Sequence, residues 1–263
     1  MKNEKLSPPT VCRVAAVIIF MVGLPIQCLA QTKANQKPAA ATEWKNVEDV
    51  FGFPGALLPG DVIRFNMPRK DLHVTVGGTE IKPALALGAW AAFHWVGNND
   101  AMVMGDLVLT DGEVTPLMKT PLPYGGGAKE NEDLGFDVAA VEKIMGHQAN
   151  VSGGVLHFNV PRAEKLTEEG METPPSMGAG TSINFQPTGK GRAAIAGDVA
   201  LTWKEVEPVM KTLRDNGIQT VALHSHALND VPRLFYMHFW ANDDALKLAR
   251  GLRTALDRTN SAK

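Results

Sequence analysis

AAIAGDVALTWKEVEPVM, residues 193–210, is the stretch on which the interpretation of the fold depends. Residues 101–118, AMVMGDLVLTDGEVTPLM, are identical to it at nine of 18 positions. Upstream, GDVIRFNMPR (60–69) matches GGVLHFNVPR (153–162), and the offset between the two copies stays at 92 or 93 residues. A constant offset of this kind indicates an internal duplication.

Each copy has the same order of predicted elements. An alternating apolar strand ends at Pro-Arg, a second strand surrounds Phe93 or Phe185, a third passes through Gly-Asp, and a helix follows. The helix begins in both copies with Thr-x-x-Glu, at Thr110 and Thr202, which is the pattern of a capping box. We therefore interpret the two glutamates as caps and not as catalytic groups. The pattern predicts an α+β protein built from two related βαβ-type units.

The two copies differ after Met118 and Met210. The second copy continues into a predicted hairpin and a C-terminal helix, whereas the first runs into a Pro/Gly-rich segment. The second unit is therefore predicted to be a split βαββα unit, and the first to lack its C-terminal hairpin and helix. The predicted divisions are a signal peptide (1–30), a flexible tether (31–43), a truncated first repeat (44–118), a linker (119–136) and a complete second repeat (137–260).

The N-terminal segment is typical of a secretory signal peptide. Basic residues precede the apolar run 14–26, and Ala30 lies at the expected cleavage position. The run is shorter than the roughly 20 apolar residues of a membrane span, so we expect no span in the mature chain. Gln27 stands where a lipoprotein signal has a small residue before Cys28, which favours ordinary cleavage over a lipid anchor. The predicted location is periplasmic or secreted.

Composition excludes several classes of function. Both cysteines, Cys12 and Cys28, lie in the predicted signal peptide, so the mature chain would have no disulfide, no thiol nucleophile and no thiolate ligand. A net charge of −2 gives no electrostatic reason to expect nucleic acid as a partner. The glycine-rich stretch 124–132 lacks the Gly-Lys-Ser/Thr of a phosphate loop, so no nucleotide cofactor is expected. The sequence does not predict an oligomeric state.

Three of the seven histidines lie in TVALHSHALNDVPRLFYMHFW, residues 220–240. Alternate side chains of a strand share a face, so the apolar pattern determines which histidines lie together. Pairing the Val221 face with the Phe239 face places His224, His226 and His238 on the opposite side. A hairpin in which Leu228 faces Leu234 would set His224 directly opposite His238. We expect the C-terminal helix to cover the Val221 and Phe239 side.

Three neutral imidazoles can hold Zn²⁺ in an open tetrahedral site, and Cu²⁺ suits the same ligands. The leading hypothesis is therefore a protein that binds a metal ion or small ligand through His224, His226 and His238. A metal-dependent hydrolase is a second hypothesis, with Asp198 as the candidate base, although Asp106 repeats it in the copy without these histidines. A third is a non-catalytic binding or assembly module in which the histidines only pack.

The segments GDVALTWKEVEPVM, GIQTVALHSHAL and PRLFYMHFWANDDALKLARGLRTALD resemble the LppY/LpqO family of secreted bacterial proteins of unassigned function. The resemblance covers nearly all of residues 44–258. It implies an exported protein with two copies of one domain, each carrying a Leu-His-Asn-His segment and a Met-His strand. This chain differs from that pattern at Ser225, which stands in place of the asparagine, and in the first copy, which lacks the histidine-bearing half.

Overall fold

The computed structural model describes residues 44–97, 100–117 and 133–262. The predicted signal peptide and tether, and most of the predicted linker 119–136, lie outside these residues. The described residues contain six α-helices and fifteen strands, which confirms the α+β class. None of their helices is long and apolar enough to cross a membrane.

The first repeat contributes a four-stranded antiparallel sheet in the order β1-β2-β5-β6. A small hairpin, β3-β4, and a short helix, α2, connect its two central strands. The elements are α1 (Lys45–Phe51), β1 (Ala56–Leu58), β2 (Val62–Pro68), β3 (Val74–Val76), β4 (Thr79–Ile81), α2 (Pro83–Ala86), β5 (Gly88–Gly97), β6 (Asp100–Asp106) and α3 (Asp111–Leu117).

The second repeat contributes a six-stranded antiparallel sheet in the order β13-β15-β12-β11-β8-β7. Between β8 and β11 the chain forms β9, β10 and a 3-10 helix at Pro175–Met177. Strands β9 and β10 join β14 in a three-stranded sheet of order β10-β9-β14. The elements are α4 (Val138–Met145), β7 (Asn150–Ser152), β8 (Val155–Val160), β9 (Thr167–Glu168), β10 (Met171–Glu172), β11 (Thr181–Gly189), β12 (Arg192–Leu201), α5 (Trp203–Asp215), β13 (Gln219–His224), β14 (Asp230–Val231), β15 (Phe235–Asp244) and α6 (Ala245–Leu256).

The duplication is visible in the strand order. Strands β1, β2, β5 and β6 occupy the same places in the first sheet as β7, β8, β11 and β12 in the second. The second sheet then continues with β15 and β13, which both run antiparallel to their neighbours. Strands β12 and β13 are therefore parallel, with β15 between them and α5 connecting them.

Helices cover one face of the six-stranded sheet. Most of the apolar residues of α6 are buried, and they pack with α4, α5 and the sheet around Phe158, Phe185 and Phe239. These helices form because their apolar residues recur at helical spacing and their first turns are capped. Asp244, for example, accepts a hydrogen bond of 2.8 Å from the backbone of Lys247. The helical face holds the largest core of the second repeat.

The first repeat covers part of the other face. Leu85 and Leu87 pack against Ala194 and Ala196 in one apolar cluster. The side chain of Gln186, which is buried, accepts a hydrogen bond of 2.7 Å from the backbone of Lys82 and donates one of 2.8 Å to the carbonyl of Glu80. A buried amide with both ends satisfied fixes the contact between the two repeats.

Two details of the predicted hairpin are wrong. His224 lies opposite Tyr236 and not opposite His238, whose partner on β13 is Ala222. A bulge at Val221 interrupts the pairing, and Val221 is 60% exposed because β13 is the edge strand. The helices therefore cover Phe239 but not Val221.

Candidate metal centre

The three histidines come from the last residue of β13, the loop after it and the middle of β15. The ligand nitrogens of His224, His226 and His238 all lie within 4.8 Å of one another. His224 is exposed, and the other two are partly buried. The structure therefore brings together the three residues that the sequence singled out, on the face of the sheet opposite the helices.

The nitrogen atoms of two rings point at each other. Nε2 of His224 lies 2.7 Å from Nε2 of His238, and the two rings are nearly parallel. Only one proton fits between two such nitrogens, so at least one ring offers a lone pair. Two nitrogens bound to one tetrahedral zinc at about 2.0–2.1 Å lie about 3.3 Å apart, so a small separation of the rings would admit the ion.

His226 is held by its surroundings in the loop. Its ring stacks on Tyr236 with 3.5 Å between centroids, and the Gly178 backbone favours its protonated form through a hydrogen bond. The stacking on Tyr236 limits how far the imidazole of His226 can rotate. Gly178 was not identified from the sequence.

Burial lowers the pKa of both His226 and His238 below that of a free imidazole. The neighbouring His224 lowers both pKa values further, whereas the carboxylate of Asp106 raises them. Neutral imidazole is the form that binds a metal ion. The environment of the cluster therefore favours the form that a metal ion requires.

Two carboxylates accompany the histidines, one from each repeat. Asp198 on β12 pairs with His238 on β15 in the sheet register, so their side chains lie on one face. Burial raises the pKa of Asp198 to about 7, and the nearby Asp106 raises it as well. Asp106 accepts a hydrogen bond of 3.0 Å from Nε1 of Trp90. A metal-bound water, whose pKa can fall to about 7, would have a carboxylate close by.

Asp106 and Asp198 occupy equivalent positions in the two sheets, each in a row of side chains that runs across neighbouring strands. Asn66, Trp90 and Asp106 lie side by side across β2, β5 and β6. The equivalent positions in the second sheet are Asn159, Ser182 and Asp198, and there the row continues to His238. The offset of 92 or 93 residues lets this equivalence be predicted from the sequence. That the two rows lie near each other cannot be predicted in this way, because it depends on the fold.

A small open pocket of about 20 Å³ borders His226. Tyr236 and Met104 line it on the apolar side, and Glu168 and Asp230 line it on the polar side. The small sheet forms this wall because Asp230 pairs with Glu168 in its ladder. The histidine cluster is therefore adjacent to a small open pocket with room for about one water molecule.

A second set of interactions, remote from the histidines, is structural. Arg69 binds both oxygens of Glu113 and of Asp71, at 2.7–2.9 Å, and the carbonyl of Val108. In the second repeat Arg162 makes the same set of bonds, to Glu205, Glu164 and the carbonyl of Ala200. Both capping glutamates also accept from the backbone of the preceding threonine, as predicted. Each Pro-Arg therefore anchors the start of its helix to the end of its strand.

Comparison with known proteins identifies a family but no activity. The chain matches the family described as Domain of Unknown Function (DUF1259) over two segments, residues 45–122 and 139–258. Searches of curated proteins and of solved structures found no match. The two matched segments confirm that the chain contains two copies of one domain. The protein therefore belongs to the DUF1259 family.

Proposed function

We propose that this protein binds a divalent metal ion, Zn²⁺ or Cu²⁺, through His224, His226 and His238. The observation that carries the proposal is the convergence of three histidine nitrogens within 4.8 Å on a face that is partly open. The Nε2 atoms of His224 and His238 already face each other, and the exposed ring of His224 leaves the cluster open to solvent. The geometry therefore favours metal binding over the assembly-module hypothesis.

We also propose that the protein is exported and that it is a member of the LppY/LpqO group. The segment before Ala30 has the three-part layout of a secretory leader, and the absence of cysteine after Cys28 suits a histidine-only metal site. The finer description of the repeats, a split unit preceded by a truncated one, belongs to the same proposal. It is supported by the position of β15 between β12 and β13.

Elemental analysis after equilibration with Zn²⁺ or Cu²⁺ tests the metal proposal. We expect about one ion per chain in the wild type and an affinity at least about 100-fold lower in His224→Ala, because losing a ligand costs more than losing an outer-shell partner. His73→Ala is the matched control, since His73 is an exposed histidine whose Nδ1 lies 3.4 Å from the carboxylate of Glu80. Equal and negligible metal in the wild type and in His224→Ala would refute the proposal.

A further inference from the structure

Arg64, on β2 of the first repeat, has a guanidinium whose two Nη groups make no hydrogen bond to the described residues. Its guanidinium lies 4.1 Å from the centre of the Trp90 ring, and its Nε donates to Asn66 at 3.0 Å. Its two Nη groups have no hydrogen-bond or ion-pair partner among residues 44–97, 100–117 and 133–262. Arg64 is partly buried, and cations in such positions are normally paired, so its Nη groups are available to a ligand.

The environment of Arg64 links it to the histidine side of the second sheet. Burial lowers the pKa of Arg64, and the carboxylates of Asp106 and Asp198 act against that effect. Asp198 is also the cross-strand partner of His238, and Asp106 acts on the pKa of that histidine. The same two carboxylates therefore lie near both Arg64 and the histidine cluster.

The charges around this space favour an anion once a metal is bound. A divalent ion brings two positive charges and Arg64 one, whereas Asp106 and Asp198 bring at most two negative charges. Among these four groups the balance is at least one positive charge, and Glu168 and Asp230 lie on the polar side of the cavity, where Arg233 pairs with Asp230. A guanidinium stacked on an aromatic ring keeps its planar fork in one orientation, and that fork matches two oxygens of a phosphate or a carboxylate.

We propose that the first repeat supplies an oxyanion-binding subsite, in which the Nη groups of Arg64 hold a phosphate or carboxylate group of a ligand whose other part reaches the histidine cluster. The inference rests on the proposed metal site, because the metal ion supplies most of the positive charge. It gives the repeat that lacks the histidine cluster a role in recognition. Arg64 is then a binding residue, held in place by Trp90 and Asn66.

Isothermal titration of the zinc-loaded full chain with inorganic phosphate tests the proposal. We expect Arg64→Gln to bind phosphate about 10- to 100-fold more weakly, because hydrogen bonds to a charged group are lost. Arg64→Lys should recover part of the affinity, since it restores the charge without the fork. Arg214→Gln, at an exposed position on α5, removes the same charge elsewhere and should bind as the wild type does. Titration with acetate distinguishes a planar from a tetrahedral preference.

The zinc content of each variant separates the two proposals. An Arg64→Gln chain that keeps its zinc and binds phosphate as tightly as the wild type would overturn the subsite, as would a zinc-loaded wild type that binds neither anion. A wild type that takes up no zinc refutes the metal proposal instead. In that case phosphate titration of the metal-free chain decides the subsite: Arg64-dependent binding supports it, and no binding overturns it.

Discussion

Gly178 connects the two repeats at the candidate site, so Gly178→Ala is a sensitive test of the geometry. The residue follows the 3-10 helix with a φ of +81°, and an added Cβ would lie 2.6 Å from Cη2 and 2.9 Å from Cζ2 of Trp90. Its backbone also bonds His226. A methyl group there must displace either the indole of the first repeat or the loop that carries the histidine.

The expected cost follows from these two distances and the backbone angle. Alanine in the left-handed region costs about 1–2 kcal/mol, and forcing a methyl group into a packed position costs about 1–3 kcal/mol more. Trp90 cannot move freely, since it is only 9% exposed and is bonded to Asp106. We therefore expect a loss of about 2–5 kcal/mol in the free energy of unfolding. Zinc affinity should fall about 10- to 100-fold, as for loss of an outer-shell partner.

Gly52→Ala is the matched control. Gly52 has a φ of +75°, but an added Cβ would meet nothing within 4 Å, so only the backbone strain of about 1–2 kcal/mol applies. Urea denaturation and a competitive zinc titration of both variants separate the cost of backbone strain from the effect of displacing Trp90 or the loop that carries His226. Equal stability and equal zinc affinity in the two variants would refute the assignment of Gly178 as a support for His226.

Two further predictions concern the rest of the chain. Hydrogen bonds from Arg69 hold the pKa of Asp71 and of Glu113 at about 2, below their unfolded values of about 4, so their stabilisation is present above about pH 4.5 and is lost as the pH falls toward about 2. Urea denaturation at about pH 6 and pH 3 should show a smaller acid loss in Arg69→Met than in the wild type, and an equal loss would contradict this. Mass spectrometry of the intact exported chain should give the mass of a protein that begins at Gln31. A mass that retains residues 1–30 would contradict the predicted signal peptide.

The face on which the histidines lie could be predicted, but their register could not. The pairing of β13 with β15 differs from the prediction by two residues, and a shift of two leaves every side chain on its face. The shift arises because the connection is not a tight turn. Asp230 and Val231 leave the hairpin to pair with β9, about 60 residues earlier in the chain. No local pattern in residues 220–240 indicates that partner.

The hydrogen-bond networks of Arg69 and Arg162 could likewise be predicted only in part. Pro-Arg and Thr-x-x-Glu recur in both copies, so the sequence shows that each is repeated. It does not show that they meet, because Arg162 and Glu205 are 43 positions apart and join only when β8 and α5 are in place. Arg64 and its contact with Trp90 could not be predicted for the same reason. Their chemistry depends on what faces the first sheet, which periodicity along one strand does not determine.

The missing hairpin of the first repeat has a physical consequence for the site. In the second sheet β15 pairs along the full length of β12 and places His238 beside Asp198. In the first sheet β6 has no partner on that side within the part of the chain that the structure describes, and Asp106 is exposed. The equivalent aspartates therefore differ in surroundings: Asp198 is partly buried beside a histidine, and Asp106 is exposed and held by Trp90. Two copies of one domain thus present different chemistry to the same space, the second through imidazole nitrogens and the first through a guanidinium and a free carboxylate oxygen. A ligand that uses both must span from β2 to β15, and inorganic phosphate is the appropriate first probe because it tests the Arg64 end of such a ligand by itself.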